Sequence, residues 1–136
     1  MKRLCLLPLL ILTACSEPEE APPPEPASAT PAPAPDPWPG KYSGDLIVRI
    51  DSGHKVILIE AAEDGCAGDI GVADGGLATN RLSANEMQLV LHPDPASTST
   101  INIVRSGDTL TVTEKGACGA YHGATCSFSG TATRVK

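Results

Sequence analysis

The chain has 136 residues, thirteen prolines, five cysteines and a net charge of −6. That length leaves room for one folded domain of modest size once low-complexity segments are set aside. The acidic balance, the absence of a basic stripe and an aromatic set confined to Trp38, Tyr42, Tyr121 and Phe128 exclude a nucleic-acid surface.

Lys2 and Arg3 form a positive start, followed by an apolar run over residues 4–12 that only Pro8 interrupts. The run is too short to span about 30 Å of hydrocarbon, so residues 1–14 read as a signal peptide. At its end, Leu12-Thr13-Ala14-Cys15 resembles the lipobox of bacterial lipoproteins. The resemblance implies cleavage before Cys15, diacylglycerol on the Cys15 thiol and a further acyl chain, such as palmitate, on the new amino group. The partner implied at this end is a membrane, held stably because each buried methylene adds about 0.8 kcal/mol. In lipoproteins of enteric type an Asp after the lipidated cysteine favours the inner membrane. Ser16 therefore implies the periplasmic side of the outer membrane, with the inner-membrane periplasmic face or the cell surface as alternatives.

Residues 15–39 form the lipidated N-terminus and a linker. Ten of the thirteen prolines fall in residues 17–39, interleaved with alanine and with Glu17, Glu19, Glu20, Glu25 and Asp36. Such a segment lacks the amide donors and apolar surface that a helix or sheet needs. It reads as an extended stalk, roughly 60–70 Å long if fully polyproline II, rather than as a proline-rich ligand.

The head, residues 40–136, carries eight Lys/Arg against eleven Asp/Glu. Leu46, Val48 and Ile50 alternate with Asp45, Ile47 and Arg49, and Asp51-Ser52-Gly53 turns the chain into a second run over residues 56–59. The pair predicts a hairpin. A weaker strand follows over residues 66–72, then a turn at Asp74-Gly75-Gly76 and a strand over 77–82. After Ser83-Ala84-Asn85, the residues Met87, Leu89 and Leu91 share one face. His92-Pro93-Asp94-Pro95 reads as a loop, because a proline cannot sit in a central strand. Residues 101–104, the turn at Ser106-Gly107, and Leu110 and Val112 set between threonines give a second hairpin. A last strand places Cys126, Phe128, Gly130 and Ala132 on one face. Residues 60–64 are polar and too few to make a helix. The expectation is an all-β fold of about eight strands in a small antiparallel up-and-down barrel, which removes exposed edges. A two-sheet β-sandwich is the alternative.

Once Cys5 leaves with the signal peptide and Cys15 takes lipid, three cysteines remain. In an oxidising periplasm a pair within reach should bridge. A Cys118–Cys126 disulfide would close the loop between the last two strands and leave Cys66 unpaired. The competing pairing joins Cys66 to Cys118 or Cys126. The even spacing of Cys118, His122 and Cys126, with His54 or His92 as a fourth ligand, is a possible zinc set, but oxidised thiols do not ligate zinc. Asp64, Asp69 and Asp74 lack a calcium-loop register and read as turn and solvent-face residues. No metal or cofactor is therefore expected. No catalytic residues are assigned either: Cys66 with a distant histidine is a weak nucleophile–base pair, and no phosphate loop, nucleophile elbow or His-Glu-x-x-His is present. The chain reads as a non-enzyme.

The run from Cys118 through Tyr121-His122-Gly123 to Cys126-Ser127-Phe128-Ser129-Gly130, ending near Arg134, resembles the tail of small Gram-negative envelope lipoproteins. That resemblance covers about twenty residues, implies envelope location and a β-rich fold, and transfers no activity. Gly119 and Gly123 suit positive-φ positions in a bridged loop that would display Tyr121 and His122 at its tip. The loop is then the candidate contact surface for an envelope protein or a glycan. Membrane-bound lysozyme inhibitors pair a lipid anchor with a small barrel in the same way, and an acidic head suits a basic enzyme. Ser43-Gly44 and Cys118-Gly119-Ala120-Tyr121 approach, without matching, that family's Ser-Gly-x-x-Tyr signature. A lipocalin-like small-ligand carrier is the other alternative, although a head of this size fills its own interior.

Overall fold

The computed structural model of the protein describes residues 21–23 and 30–136. The lipobox Leu12-Thr13-Ala14-Cys15, Ser16 and residues 24–29 of the proline-rich stretch lie outside the described residues. Residues 21–23 and 30–33 are exposed and carry no regular secondary structure. Among the described residues no helix is long and apolar enough to cross a membrane.

The β-rich unit spans Ala34–Lys136. Its strands are β1 (Gly40–Gly44), β2 (Leu46–Ile50), β3 (Val56–Ala61), β4 (Asp69–Ile70), β5 (Asn80–Ser83), β6 (Glu86–Asp94), β7 (Ser97–Ser106), β8 (Thr109–Gly116) and β9 (Gly130–Arg134). One turn of 3-10 helix covers Cys118–Ala120. All nine strands join one antiparallel sheet in the order β4-β3-β2-β1-β9-β8-β7-β6-β5, so the sandwich is excluded. The sheet curls into a half-barrel, built as two meanders joined where β1 pairs with β9. Its two edges, β4 and β5, are linked by residues 71–79, which run back along β3 and pair Leu77 with Val56.

Period-two alternation explains the concave face. Leu46, Val48 and Ile50 of β2, Met87 and Leu89 of β6, Ile101 and Ile103 of β7, and Leu110 and Val112 of β8 are buried in one cluster with Trp38, Tyr42 and Phe128. The opposite phases are mostly polar, with Ile47, Val90 and Val104 exposed among them. The expected hairpins, β2–β3 and β7–β8, form with turns at residues 51–55 and 107–108, the first with a register shift between Arg49 and Ile50 and the second in unbroken register. Asp51 secures the first turn by accepting the Gly53 and Lys55 amides, each at 2.8 Å.

Several boundaries differ from expectation. The weak strand at 66–72 shrinks to β4, because Gly68 and Gly71 hold positive φ at +133° and +99° and break the extended run. β5 begins at Asn80 instead of residue 77. β6 continues through Pro93 to Asp94, where a register shift between Leu91 and Asp94 removes the demand for the missing amide. The last strand starts at Gly130, although Cys126 and Phe128 are buried as expected. β1 carries no apolar alternation beyond Tyr42, and its ladders to β2 and β9 make it a strand.

The folded unit also reaches further toward the N-terminus than residue 40. Trp38 is fully buried, donates its indole N–H to the Ala84 carbonyl at 3.1 Å, and lies beneath the guanidinium groups of Arg81 and Arg105. Arg134 donates to the carbonyls of Pro37 and Pro39 and to the Tyr42 hydroxyl, which in turn donates to the Trp38 carbonyl at 2.9 Å. Asp36 meets His54, and the Trp38 amide followed by the His54 side chain lowers its pKa. Composition placed residues 36–39 in a stalk, whereas one buried indole and one arginine bind them to the sheet.

Candidate functional site

The loop after β8 lies beside the arch that connects β3 to β4. A disulfide between Cys66 and Cys126, with Cα atoms 5.5 Å apart, joins the two segments. This corrects the expected Cys118–Cys126 bridge. The 3-10 turn directs Cys118 into the core, where its thiol contacts the Ser99 hydroxyl and donates to the Lys115 carbonyl, and it remains a buried free cysteine. Cys118, His122 and Cys126 therefore do not converge as a metal set.

Tyr121 and His122 are not displayed at an exposed tip. Tyr121 is half-buried against the core cluster. The His122 side chain is only 7 % exposed: it turns inward, edge-on to Phe128, and meets the Glu114 carboxylate at 2.9 Å. Its Nδ1 faces the Gly123 carbonyl at 2.8 Å. With an acceptor at each ring nitrogen, the site favours the imidazolium, which alone has two N–H donors. Burial opposes that charge, but the Gly123 carbonyl and then Glu114 outweigh it, so the His122 pKa is raised. Burial likewise opposes the charge on Glu114, but the Ser127 hydroxyl, His122 and the Phe128 amide outweigh it and lower its pKa.

The arch meets this loop at close range. A Cβ on Gly68 would collide with the Tyr121 carbonyl, and one on Gly71 would sit 2.7 Å from the Val56 carbonyl. Only glycine permits both approaches. Gly119 and Gly123, expected at positive φ, do not hold it.

Together β4, the link over residues 71–77, the Tyr121 loop and β6 enclose a cleft of about 250 Å³ at the open seam of the half-barrel. Ile70, Leu77 and Leu91 supply apolar surface, Tyr121 one wall, and Asp69 and Asp74 are exposed acids lining it. Among the described residues no ion pair engages either acid. The cleft contains no assembled nucleophile and base; it offers a preformed recess with an apolar floor and anionic groups.

The sequence reading singled out Tyr121 but missed Leu77, Leu91 and Glu114 as parts of the site, and treated Asp69 and Asp74 only as solvent-face residues. One signal was available. Glu114 continues the inward phase of Leu110 and Val112, where an acid requires a partner. No family model, curated protein or solved structure shows significant similarity to this chain.

Proposed function

We propose that this chain is an envelope lipoprotein, anchored through Cys15 to the periplasmic side of the outer membrane, whose β-rich head acts as a non-enzymatic binding module. The observation that carries the binding reading is the seam cleft. Glycines pack its walls against the Tyr121 loop and β3, and the Cys66–Cys126 disulfide ties that loop to the segment before β4, so little ordering entropy is lost on contact. The bridge supports an oxidising compartment, where structural disulfides persist. The lipobox and proline-rich stretch support a tethered head. The concave face is filled by Trp38, Tyr42 and Phe128, which favours contact through the seam over carriage of a ligand inside.

Two measurements test the proposal. Metabolic labelling with palmitate should mark the wild-type chain and not Cys15→Ser, and the variant should leave the membrane fraction. A chemical cross-linking experiment in the native envelope, using the full-length lipoprotein, should give a partner adduct that Tyr121→Ala abolishes. A Cys15→Ser chain that still carries palmitate would refute the anchor, and adducts indifferent to Tyr121 would refute the contact surface.

A further inference from the structure

Within the head, charge is unevenly distributed along the chain. Residues 56–80 hold Glu60, Glu63, Asp64, Asp69 and Asp74 and contain no lysine or arginine. This stretch includes β3, the arch, β4 and the link toward β5, so it forms one whole side of the seam. Of the head's four arginines, Arg49 is exposed on β2 opposite Leu58, and the other three lie elsewhere. Arg81 and Arg105 cover Trp38, and Arg134 ties down Pro37 and Pro39. Two of the seam's acids, Asp69 and Asp74, line the same recess as Ile70, Leu77, Leu91 and Tyr121.

An occupant suited to this recess must have an apolar stem and a cationic head. A neutral apolar group would leave the carboxylates without a counter-charge, and an anion would be repelled. An isolated metal ion would gain nothing from the leucine floor. Lysine and arginine side chains have the required form, with a methylene stem ending in a charged group. The net negative charge of the side that carries the cleft would steer such a partner toward it.

We infer that the seam cleft receives a lysine or arginine side chain from a cationic partner protein, its stem packing on Leu77, Leu91 and Tyr121 and its charge meeting Asp69 and Asp74. The inference rests on the reading of the cleft as the contact surface and adds the chemistry of the occupant.

The test uses the full-length chain, isotopically labelled in nonionic detergent, titrated by NMR with the peptide acetyl-Gly-Ser-Arg-Ser-Gly-amide. Matched peptides carrying leucine or glutamate in place of arginine serve as controls. The arginine peptide should shift resonances of Asp69, Asp74, Leu77, Leu91 and Tyr121, and the controls should not. Asp69→Asn with Asp74→Asn should weaken binding about tenfold, whereas Glu63→Gln with Asp64→Asn, which removes the same charge outside the recess, should change it far less. Equal losses in the two double variants, shifts located away from the recess, or no arginine-specific shifts would each overturn the inference. The binding-module reading fails separately, when envelope cross-links do not depend on Tyr121. An arginine-blind cleft with Tyr121-dependent cross-links would leave that reading standing and remove this one.

Discussion

Replacing Cys66 with serine tests the bridge, because Cys126→Ser would break the Cys66–Cys126 bridge and the expected Cys118–Cys126 one alike. The disulfide joins residues 60 apart in sequence. Closing a loop of that length removes roughly 14 cal/mol/K from the unfolded chain, about 4 kcal/mol at 25 °C, whereas the short 118–126 loop would give only about 2–3 kcal/mol. For a domain of this size, about 4 kcal/mol corresponds to a fall in Tm of about 20 °C. Cys66 is only half-buried, so serine there adds little cost beyond the lost bridge. Thermal unfolding followed by circular dichroism, with and without dithiothreitol, supplies the assay. Oxidised wild type should melt far above Cys66→Ser, and reductant should lower the wild type while leaving the variant unmoved. Cys118→Ala should keep the reductant-sensitive drop and lose only about 1 kcal/mol, the ordinary effect of a small core truncation. The reasoning is refuted if Cys66→Ser melts like wild type while Cys118 variants lose the reductant response.

Trp38→Ala removes a fully buried indole and the surface on which Arg81 and Arg105 stack, so urea unfolding should show a loss of about 3–5 kcal/mol. A chain beginning at Gly40 should lose at least as much, and an unchanged midpoint would disprove the assignment of residues 36–39 to the folded unit. The His122–Glu114 pair gives stability a pH signature. The raised His122 pKa contributes stability fully below the ordinary 6.5, lost as pH rises through the raised value, while the lowered Glu114 pKa contributes above the ordinary 4.5, lost as pH falls through the lowered one. The difference in unfolding free energy between wild type and His122→Gln should therefore be greatest between those two ordinary values and shrink on either side; a difference independent of pH would count against the pairing.

The hairpins were legible because β2, β7 and β8 alternate with period two, so that a one-residue slip would turn their buried side chains to solvent. β3 is apolar in both phases and takes its register from β2, with a shift between Arg49 and Ile50. β1 was not legible: Gly-Lys-Tyr-Ser-Gly offers one apolar residue, and its conformation follows from the partners on both sides. Pro93 signals a loop locally, yet the offset after Leu91 lets the strand continue, and that tertiary adjustment leaves no mark in the sequence. Disulfide connectivity was undetermined for a similar reason, since three thiols allow three pairings and the choice depends on where the arch lies. Tyr121 was found for its place in the cysteine loop, and the structure assigns it a different role, as a wall of the cleft instead of a displayed tip.

An open half-barrel must keep its free edges from pairing with other chains, and the manner in which this head does so narrows where recognition can occur. β4 has two residues and is bracketed by Gly68 and Gly71, so it presents almost no ladder to add to. β5 has four, carries Arg81, and is interrupted by a register shift between Arg81 and Ser83. Short, bulged and charged edges are poor templates for strand addition. Val72 and Leu82 are exposed near these edges, but isolated apolar residues do not make an adhesive surface. With the edges blunted and the concave face filled, the recess between β4, the link after it and Tyr121 is where apolar floor and acidic side chains coincide. The Cys66–Cys126 bridge ties the loop that carries Tyr121 to the segment before β4, so reduction that destabilises the head should also loosen the cleft, linking the stability measured for the Cys66 variant to the affinity measured at Asp69 and Asp74.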